Sequence, residues 1–248
     1  MPLPLADRIA LVTGASRGIG RATALALARA GAHVVAVART VGGLEELDDE
    51  IRKLGGSATL VPLDVRDDPG LGRLAAALNE RYHRLDVLIG NAGIGGPSSP
   101  LTHVEPKAWD DVMAINVTAN WQLIRHFEPL LRVSNAGRAV FISSGGAHNA
   151  RAYRGPYNVS KAALEALART FASETMTTNI RVNVFNPGPT RTRMRAAIMP
   201  GEDPMSLPPV EDVVEKIIAL TLPSVTETGK LYDFPTGRMI TYRLPTAP

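Results

Sequence analysis

Residues Ile9–Gly20 read IALVTGASRGIG, an apolar run (Ile9–Thr13) that passes directly into a glycine-rich turn (Thr13–Gly20). Alanine-rich sequence with helical spacing follows over Ile19–Arg29. A strand that turns tightly and re-emerges as a helix leaves the first helical N–H groups unpaired at one point, with the positive end of the helix dipole behind them. That is a cradle for phosphate. Gly14 can make the sharp turn, Gly18 lets the backbone approach a pyrophosphate, and Gly20 lets the helix pack on the strand. The spacing G-x-x-x-G-x-G would, as a bare pattern, also suit a structural turn. Its position straight after the first strand selects the phosphate cradle.

Outward from this stretch, short β-branched runs alternate with helical patterns. Strands are expected at Ile9–Thr13, His33–Ala38, Thr59–Leu63, Asp86–Gly90, Ala139–Ser143, Arg181–Phe185 and Lys230–Phe234. Between them, helices are expected at Ile19–Arg29, Leu44–Leu54, Leu71–Arg81, Trp109–Leu131, Pro156–Met176 and Glu211–Leu220. The strands are continuous apolar runs, as in parallel sheets covered on both faces. The expected fold is therefore α/β: a Rossmann-type doubly wound parallel sheet in three layers with about seven strands. No linker, low-complexity tract or repeat divides the chain, so residues 1–248 read as one domain. The proline-rich stretch Pro187–Pro209 reads as a loop over the sheet edge.

Composition narrows the function classes. The formal charge is 27 − 24 = +3 with no long basic run, too little to point to nucleic acid. There are no cysteines, so disulfides and thiolate metal sites are excluded, and no metal is expected. The first residues, MPLPLADRIALVTG, do not pattern as a signal peptide, and no apolar window is long enough to span a membrane. A cytoplasmic protein with a small-molecule substrate is the expectation.

Four further landmarks stand in order: NAG at Asn91–Gly93, a serine at 144, YNVSK at Tyr157–Lys161 and NPGPTRT at Asn186–Thr192. Together with TGASRGIG they resemble the short-chain dehydrogenase/reductase family over roughly Asp7 to Phe234. Gly90 stands where the family's usual NNAG has its first asparagine.

Tyr157 and Lys161 are four apart, so they share a face of the helix that starts near Pro156. An ammonium beside a phenol lowers its pKa, and a phenol so tuned can exchange a proton with an alcohol oxygen near neutral pH. A core tyrosine and an exposed lysine on an amphipathic helix is the plainer alternative. The resemblance implies Tyr157 as the catalytic acid, with Lys161 holding its pKa down and bonding the nicotinamide ribose. It implies Ser144, 157 − 144 = 13 residues earlier, as the group that orients the substrate oxygen, with Ser143 the nearby competitor. It implies Asn116 as the holder of a relay water, unless that residue is an ordinary packing asparagine.

The resemblance further implies a cofactor cleft lined by Gly14, Ser16, Arg17, Gly18, Ile19, Gly20, Arg39, Asp64, Val65, Asn91, Ala92, Gly93, Tyr157, Lys161, Pro187, Gly188, Thr190 and Thr192. Asp64 would contact the adenine, and Thr192 the nicotinamide carboxamide. Ala38 stands where an acid would bond a ribose 2′-OH, and Arg39 and Arg17 could meet a 2′-phosphate, so NADP(H) is expected over NAD(H). The reaction expected is hydride transfer between a carbonyl and a secondary alcohol. The alternatives are a 3-oxoacyl-carrier-protein reductase and a non-catalytic dinucleotide sensor. Asn135 and Thr178 align where the carrier-protein reductases have an arginine pair. Retention of Ser144, Tyr157, Lys161 and Asn116 argues against a sensor. A substrate pocket is expected from Ile94, Gly95, Gly145, Gly146, His148, Tyr153, Pro189, Met194 and Met199. Arg191, Arg193 and Arg195 could favour an acidic substrate or point outward. Helices Trp109–Leu131 and Pro156–Met176 are apolar around more than one stripe, which implies a homo-oligomer and, with the family, a homotetramer.

Overall fold

The computed structural model describes residues 3–242. Its elements in chain order are β1 (Ile9–Thr13), α1 (Gly18–Arg29), β2 (His33–Ala38), α2 (Val41–Lys53), β3 (Ser57–Pro62), α3 (Asp68–Tyr82) and β4 (Val87–Gly90). Then come α4 (Pro106–Met113), α5 (Ala119–Val133), β5 (Arg138–Ile142), α6 (Gly146–Asn149), α7 (Gly155–Glu174) and β6 (Arg181–Asn186). The last are α8 (Arg193–Ile198), α9 (Val210–Ala219), β7 (Lys230–Asp233) and β8 (Arg238–Thr241). The strands form one sheet in the order β3-β2-β1-β4-β5-β6-β7-β8, parallel except for the β7–β8 pair.

Alternation along each strand sends successive side chains to opposite faces. In β1, Ile9 and Leu11 join a core with Leu123, Phe127, Leu164 and Phe171. Ala10 and Val12 join a second core with Leu27, Leu44, Leu47 and Ile217. Two apolar layers thus separate the sheet from helices on either side, which is the three-layer architecture expected. The strand order reverses between β1 and β4, so the carboxyl ends of these two strands open a crevice there. The glycine turn leaves β1 and the NAG segment leaves β4 at that crevice.

The strand count is close to the seven expected, and two other expectations need correction. The sheet has eight strands: β8, four mostly exposed residues of RMIT sequence, pairs antiparallel with β7 after a turn at Gly237 (φ +66°). An exposed edge strand carries no apolar run, so nothing marked it. The helix expected at Trp109–Leu131 is α4 and α5 joined by a π-helical turn, Ala114–Thr118. Such turns insert a residue into the ladder and often mark functional sites; this one carries Asn116. The Pro187–Pro209 stretch contains the helix α8 and a 3₁₀ turn, Pro204–Ser206, rather than loop alone. Among the described residues, no helix is long and apolar enough to cross a membrane.

Candidate active site

A cleft of about 1280 Å³ runs along the carboxyl ends of the strands. Every expected cofactor residue lines it except Gly20, and Ser144 lines it too. Gly20 and Asn116 act from behind its wall.

At one end lies the glycine turn. Gly14 and Gly18 have φ of +67° and +56°, in the left-handed region that side chains avoid. A Cβ on Gly20 would collide with the Gly14 carbonyl and the Asn91 amide, so glycine there is a packing requirement. Asn91 Nδ2 donates to the Thr13 carbonyl (2.8 Å), tying the NAG segment to the turn. Thr13, which sequence reasoning passed over as a site residue, is fully buried. Its hydroxyl donates to the Ile89 carbonyl (3.2 Å) and accepts from the Asn91 and Ala92 N–H groups (3.0 Å each). A threonine closing an apolar strand was the available signal. No side chain caps the N-terminus of α1, whose Ncap residue is Arg17. The turn and helix start therefore present backbone donors, and the residues fit a dinucleotide phosphate.

Arg17 and Arg39 are exposed at this end, Arg39 to 61% of its side chain. Asp64 is the third charge here and is engaged by Arg66, whose Nη2 donates to its Oδ2 at 2.7 Å. That bond, with Arg39 Nη1 at 3.9 Å, holds the Asp64 carboxyl below the usual carboxylate range. Arg66 was not anticipated, because nothing in its surrounding sequence marks it.

At the other end, the two serines separate. Ser143 is buried and donates to Glu165 Oε1 (2.6 Å). Ser144 faces the cleft, and its Oγ accepts from the Gly146 N–H (3.1 Å). Helix α7 stacks Tyr157, Lys161 and Glu165 at successive four-residue steps. Lys161 Nζ lies 5.8 Å from the Tyr157 ring centre and donates to the Ile142 carbonyl (2.7 Å). Burial lowers the Lys161 pKa to about 8, against the opposing pull of Glu165. For Tyr157, burial pushes the phenol up, while the neighbouring Ser144 hydroxyl and the Arg154 guanidinium pull it down. This reverses the expected direction: desolvation of the phenolate outweighs the cations that the chain itself supplies.

Asn116 Oδ1 accepts from the Ile94 N–H (2.9 Å), and its Nδ2 donates to the Ile94 carbonyl (3.0 Å) and Ser160 Oγ (2.9 Å). A side chain at Gly93 would lie 3.2 Å from Asn116 Oδ1 and 3.5 Å from Lys161 Nζ, so these two groups converge there. Asn120 Oδ1 fills the space beside Gly90 that an asparagine would need, and it finds no donor among the described residues.

The loop after β6 closes the cleft. Asn186 bridges Asp233 Oδ1 (2.6 Å) and the Gly188 N–H (3.0 Å), and Thr190 turns its hydroxyl to the Pro187 carbonyl (3.2 Å). The Thr192 hydroxyl caps α8, accepting from the Arg195 N–H (3.2 Å). The three arginines considered for an acidic substrate divide. Arg191 donates to the Pro204 and Leu207 carbonyls, Arg195 pairs with Glu202 (2.5 Å), and Arg193 is exposed. His148 points its Nε2 at Glu165 Oε2 (3.1 Å).

Comparison with known proteins agrees with this geometry. The short chain dehydrogenase family profile matches residues 8–203. The uncharacterized oxidoreductase YciK of Escherichia coli K12 is 38% identical over 238 residues, 94% of each chain. A rhamnolipids biosynthesis 3-oxoacyl-[acyl-carrier-protein] reductase of Pseudomonas aeruginosa is 40% identical over 212 residues, 82% of this chain and 80% of that one. Among solved structures, a short chain dehydrogenase of Shigella flexneri complexed with NADP superposes with a TM-score of 0.88 at 38% identity, covering 94% of this chain and 99% of that one. The chain belongs to the short chain dehydrogenase family.

Proposed function

We propose that this protein is an NADP(H)-dependent oxidoreductase interconverting a carbonyl and a secondary alcohol, with residues 1–248 forming one domain that carries both sites. The observation that carries the reading is the meeting of Ser144, Tyr157 and Lys161 in the same cleft that ends on the glycine turn. The turn (Gly14, Ser16, Gly18, Ile19 and the packing supplied by Gly20), Val65, the Asn91–Gly93 segment and the Pro187–Thr192 loop would hold the cofactor. Arg17 and Arg39 would take its 2′-phosphate, with Ala38 offering no acid to oppose them. The NADP complex of the Shigella relative supports that choice. When bound, the reduced nicotinamide supplies a hydride.

The chain's own residues do the rest. Burial keeps Tyr157 protonated near neutral pH, so it is ready to give its proton to the oxygen that becomes the alcohol. Ser144 holds that oxygen by its hydroxyl. Lys161, fixed on the Ile142 carbonyl, offers its charge to the phenolate left behind. Asn116 fixes Ile94 and so the wall opposite, near Lys161.

A panel of carbonyl compounds with NADPH tests the reading. The expected result is NADPH oxidation matched by alcohol formation. Tight NADPH binding with no turnover on any carbonyl would favour a dinucleotide sensor instead.

The carrier-protein alternative has one observation in its favour, the name of the Pseudomonas relative. Against it, Asn135 accepts from Arg8 Nη1 (2.7 Å) and Thr178 bonds the Thr175 carbonyl (2.8 Å), so neither position offers an arginine. We place the protein in the cytoplasm as a homotetramer. The exposed Trp121 on α5 and Val159 on α7 support a covered face; a monomer mass by light scattering would overturn it.

A further inference from the structure

Arg154 stands immediately before α7, three residues from Tyr157, and lines the cleft. Its guanidinium carbon lies 5.1 Å from the Tyr157 ring centre. The side chain is half-buried, yet among the described residues it makes no ion pair and no side-chain hydrogen bond. Of the other arginines on the cleft wall near it, Arg191 holds two loop carbonyls and Arg195 holds Glu202, while Arg151 and Arg193 are exposed. The acidic residues on the cleft wall are Asp64 and Glu211, and neither pairs with Arg154. A guanidinium over a ring face makes no hydrogen bond there and keeps its N–H groups free, and its planar fork of donors matches a carboxylate in two-point contact.

Three features fix this cation in place. Tyr153 has φ +63°, a left-handed conformation that is uncommon for a bulky side chain and that the surroundings must hold. The Tyr153 carbonyl accepts from the Ser99 N–H (3.0 Å), and Ser99 and Arg154 form a parallel bridge. Opposite, a Cβ on Gly95 would come within 3.1 Å of Arg154 Nη2, so the missing side chain makes room for the guanidinium. Ile94 and Ile198 supply apolar surface on the wall beside it.

We infer that the substrate is an organic carboxylate, an oxo acid or the matching hydroxy acid, whose carboxylate is held by Arg154 while its carbonyl meets Tyr157 and Ser144. The inference deepens the oxidoreductase reading and rests on it. The proximity of Arg154 to the Tyr157 ring places the carboxylate within a few carbons of the reacting carbon. That apolar surface accommodates an alkyl remainder.

The test compares each of the 2-, 3- and 4-oxo acids of four to eight carbons with its own methyl ester, using the whole protein and NADPH. The acid should exceed the ester in kcat/KM by roughly 10–100-fold for at least one pair, the range of a charge-assisted hydrogen bond. Arg154→Leu should bring that ratio close to one, and Arg154→Lys should restore part of it. A general loss of structure would lower both rates and leave the ratio standing. Independently of turnover, hexanoate should bind the NADP⁺-loaded protein at least tenfold more tightly than hexanamide by calorimetry. Esters and acids turned over equally would overturn the inference and leave the oxidoreductase reading intact. Hexanoate bound preferentially, with no carbonyl turned over, would uphold the carboxylate site and overturn the reductase. Hexanoate and hexanamide bound alike would overturn the carboxylate site whatever the turnover.

Discussion

The two ends of the cleft are built by different means. At the glycine turn the working surface is backbone: positive-φ glycines, an uncapped helix start, and a carbonyl tied to Asn91. The arginines there, Arg17, Arg39 and Arg66, are exposed, with Asp64 half-buried among them. At the Tyr157 end the groups are side chains: Ser144 and Tyr157 are half-buried on the cleft wall, with buried charge behind them. Lys161 and Glu165 are both enclosed, and Glu165 collects Ser143, His148 and Tyr242. Backbone donors are fixed by the fold and carry no desolvation cost that changes with protonation. Buried ionisable groups carry a large one, so their protonation and their hydrogen-bond partners are what the protein must control. The first end should respond gradually to substitution and the second abruptly.

The largest effect expected tests that abruptness. Tyr157→Phe removes only a hydroxyl and keeps the ring that Arg154 and Lys161 approach. Turnover should fall by about 10²–10⁴-fold, the usual loss of a general acid, while NADPH binding by fluorescence titration changes little. A Phe variant keeping more than about a tenth of the wild-type rate would show that the proton comes from elsewhere. The contrast between the two ends would then lose its main support.

At the glycine-turn end, a charge reversal should give a smaller and graded result. Arg39→Asp should lower the ratio of kcat/KM for NADPH over NADH by roughly 10–100-fold, since an exposed charged hydrogen bond is weakened by water. Arg66→Ala should sharpen the comparison. It releases Asp64, which its guanidinium engages, and so adds a free carboxylate beside Arg39. Its effect should have the same sign as Arg39→Asp. Equal efficiencies for the two cofactors in the wild type would remove the 2′-phosphate assignment and leave the Tyr157 end untouched.

The same division decides what could be read in the sequence. The β1 strand, the glycine turn and α1 are contiguous, so Ile9–Arg29 shows its geometry in its residue order. Tyr157 and Lys161 are legible because helical periodicity places them together. Glu165 continues that series, yet its partners lie far along the chain: Ser143 just past the end of β5 and Tyr242 beyond the last strand. Nothing in the sequence separates Arg154 from Arg191, Arg193 and Arg195; the fold does, giving acceptors to Arg191 and Arg195 and leaving Arg193 exposed. The π-helical turn at Ala114–Thr118 was hidden for a related reason: its sequence, AINVT, keeps a helical pattern while the backbone gains a residue. Spacing reveals a cation four residues from Tyr157 and says nothing about burial, which pushes its phenol up.

The smallest effect expected concerns Lys161 and stability rather than rate. Burial lowers its pKa to about 8 in the fold, against 10.5 for the free side chain. Below about pH 8 both states carry the proton, and the folded state bears the cost of a buried ammonium. Between about pH 8 and the unfolded value, the unfolded chain binds more protons than the folded one, so stability contributed by this group rises with pH. The contribution is complete above the unfolded pKa and is lost as the pH falls through the folded one. Lys161→Met carries no such proton. Its stability advantage over the wild type, read from urea midpoints, should therefore shrink by about 1–2 kcal/mol between about pH 7 and 9.5. Tyr157 acts the other way only at higher pH, because its phenol is pushed above its ordinary value and stays protonated across this range. A difference that stays constant with pH would mean that Lys161 keeps its proton throughout, held by Glu165 and the Ile142 carbonyl more strongly than burial opposes it. The Tyr157 end would then be as insensitive to protonation as the backbone cradle opposite.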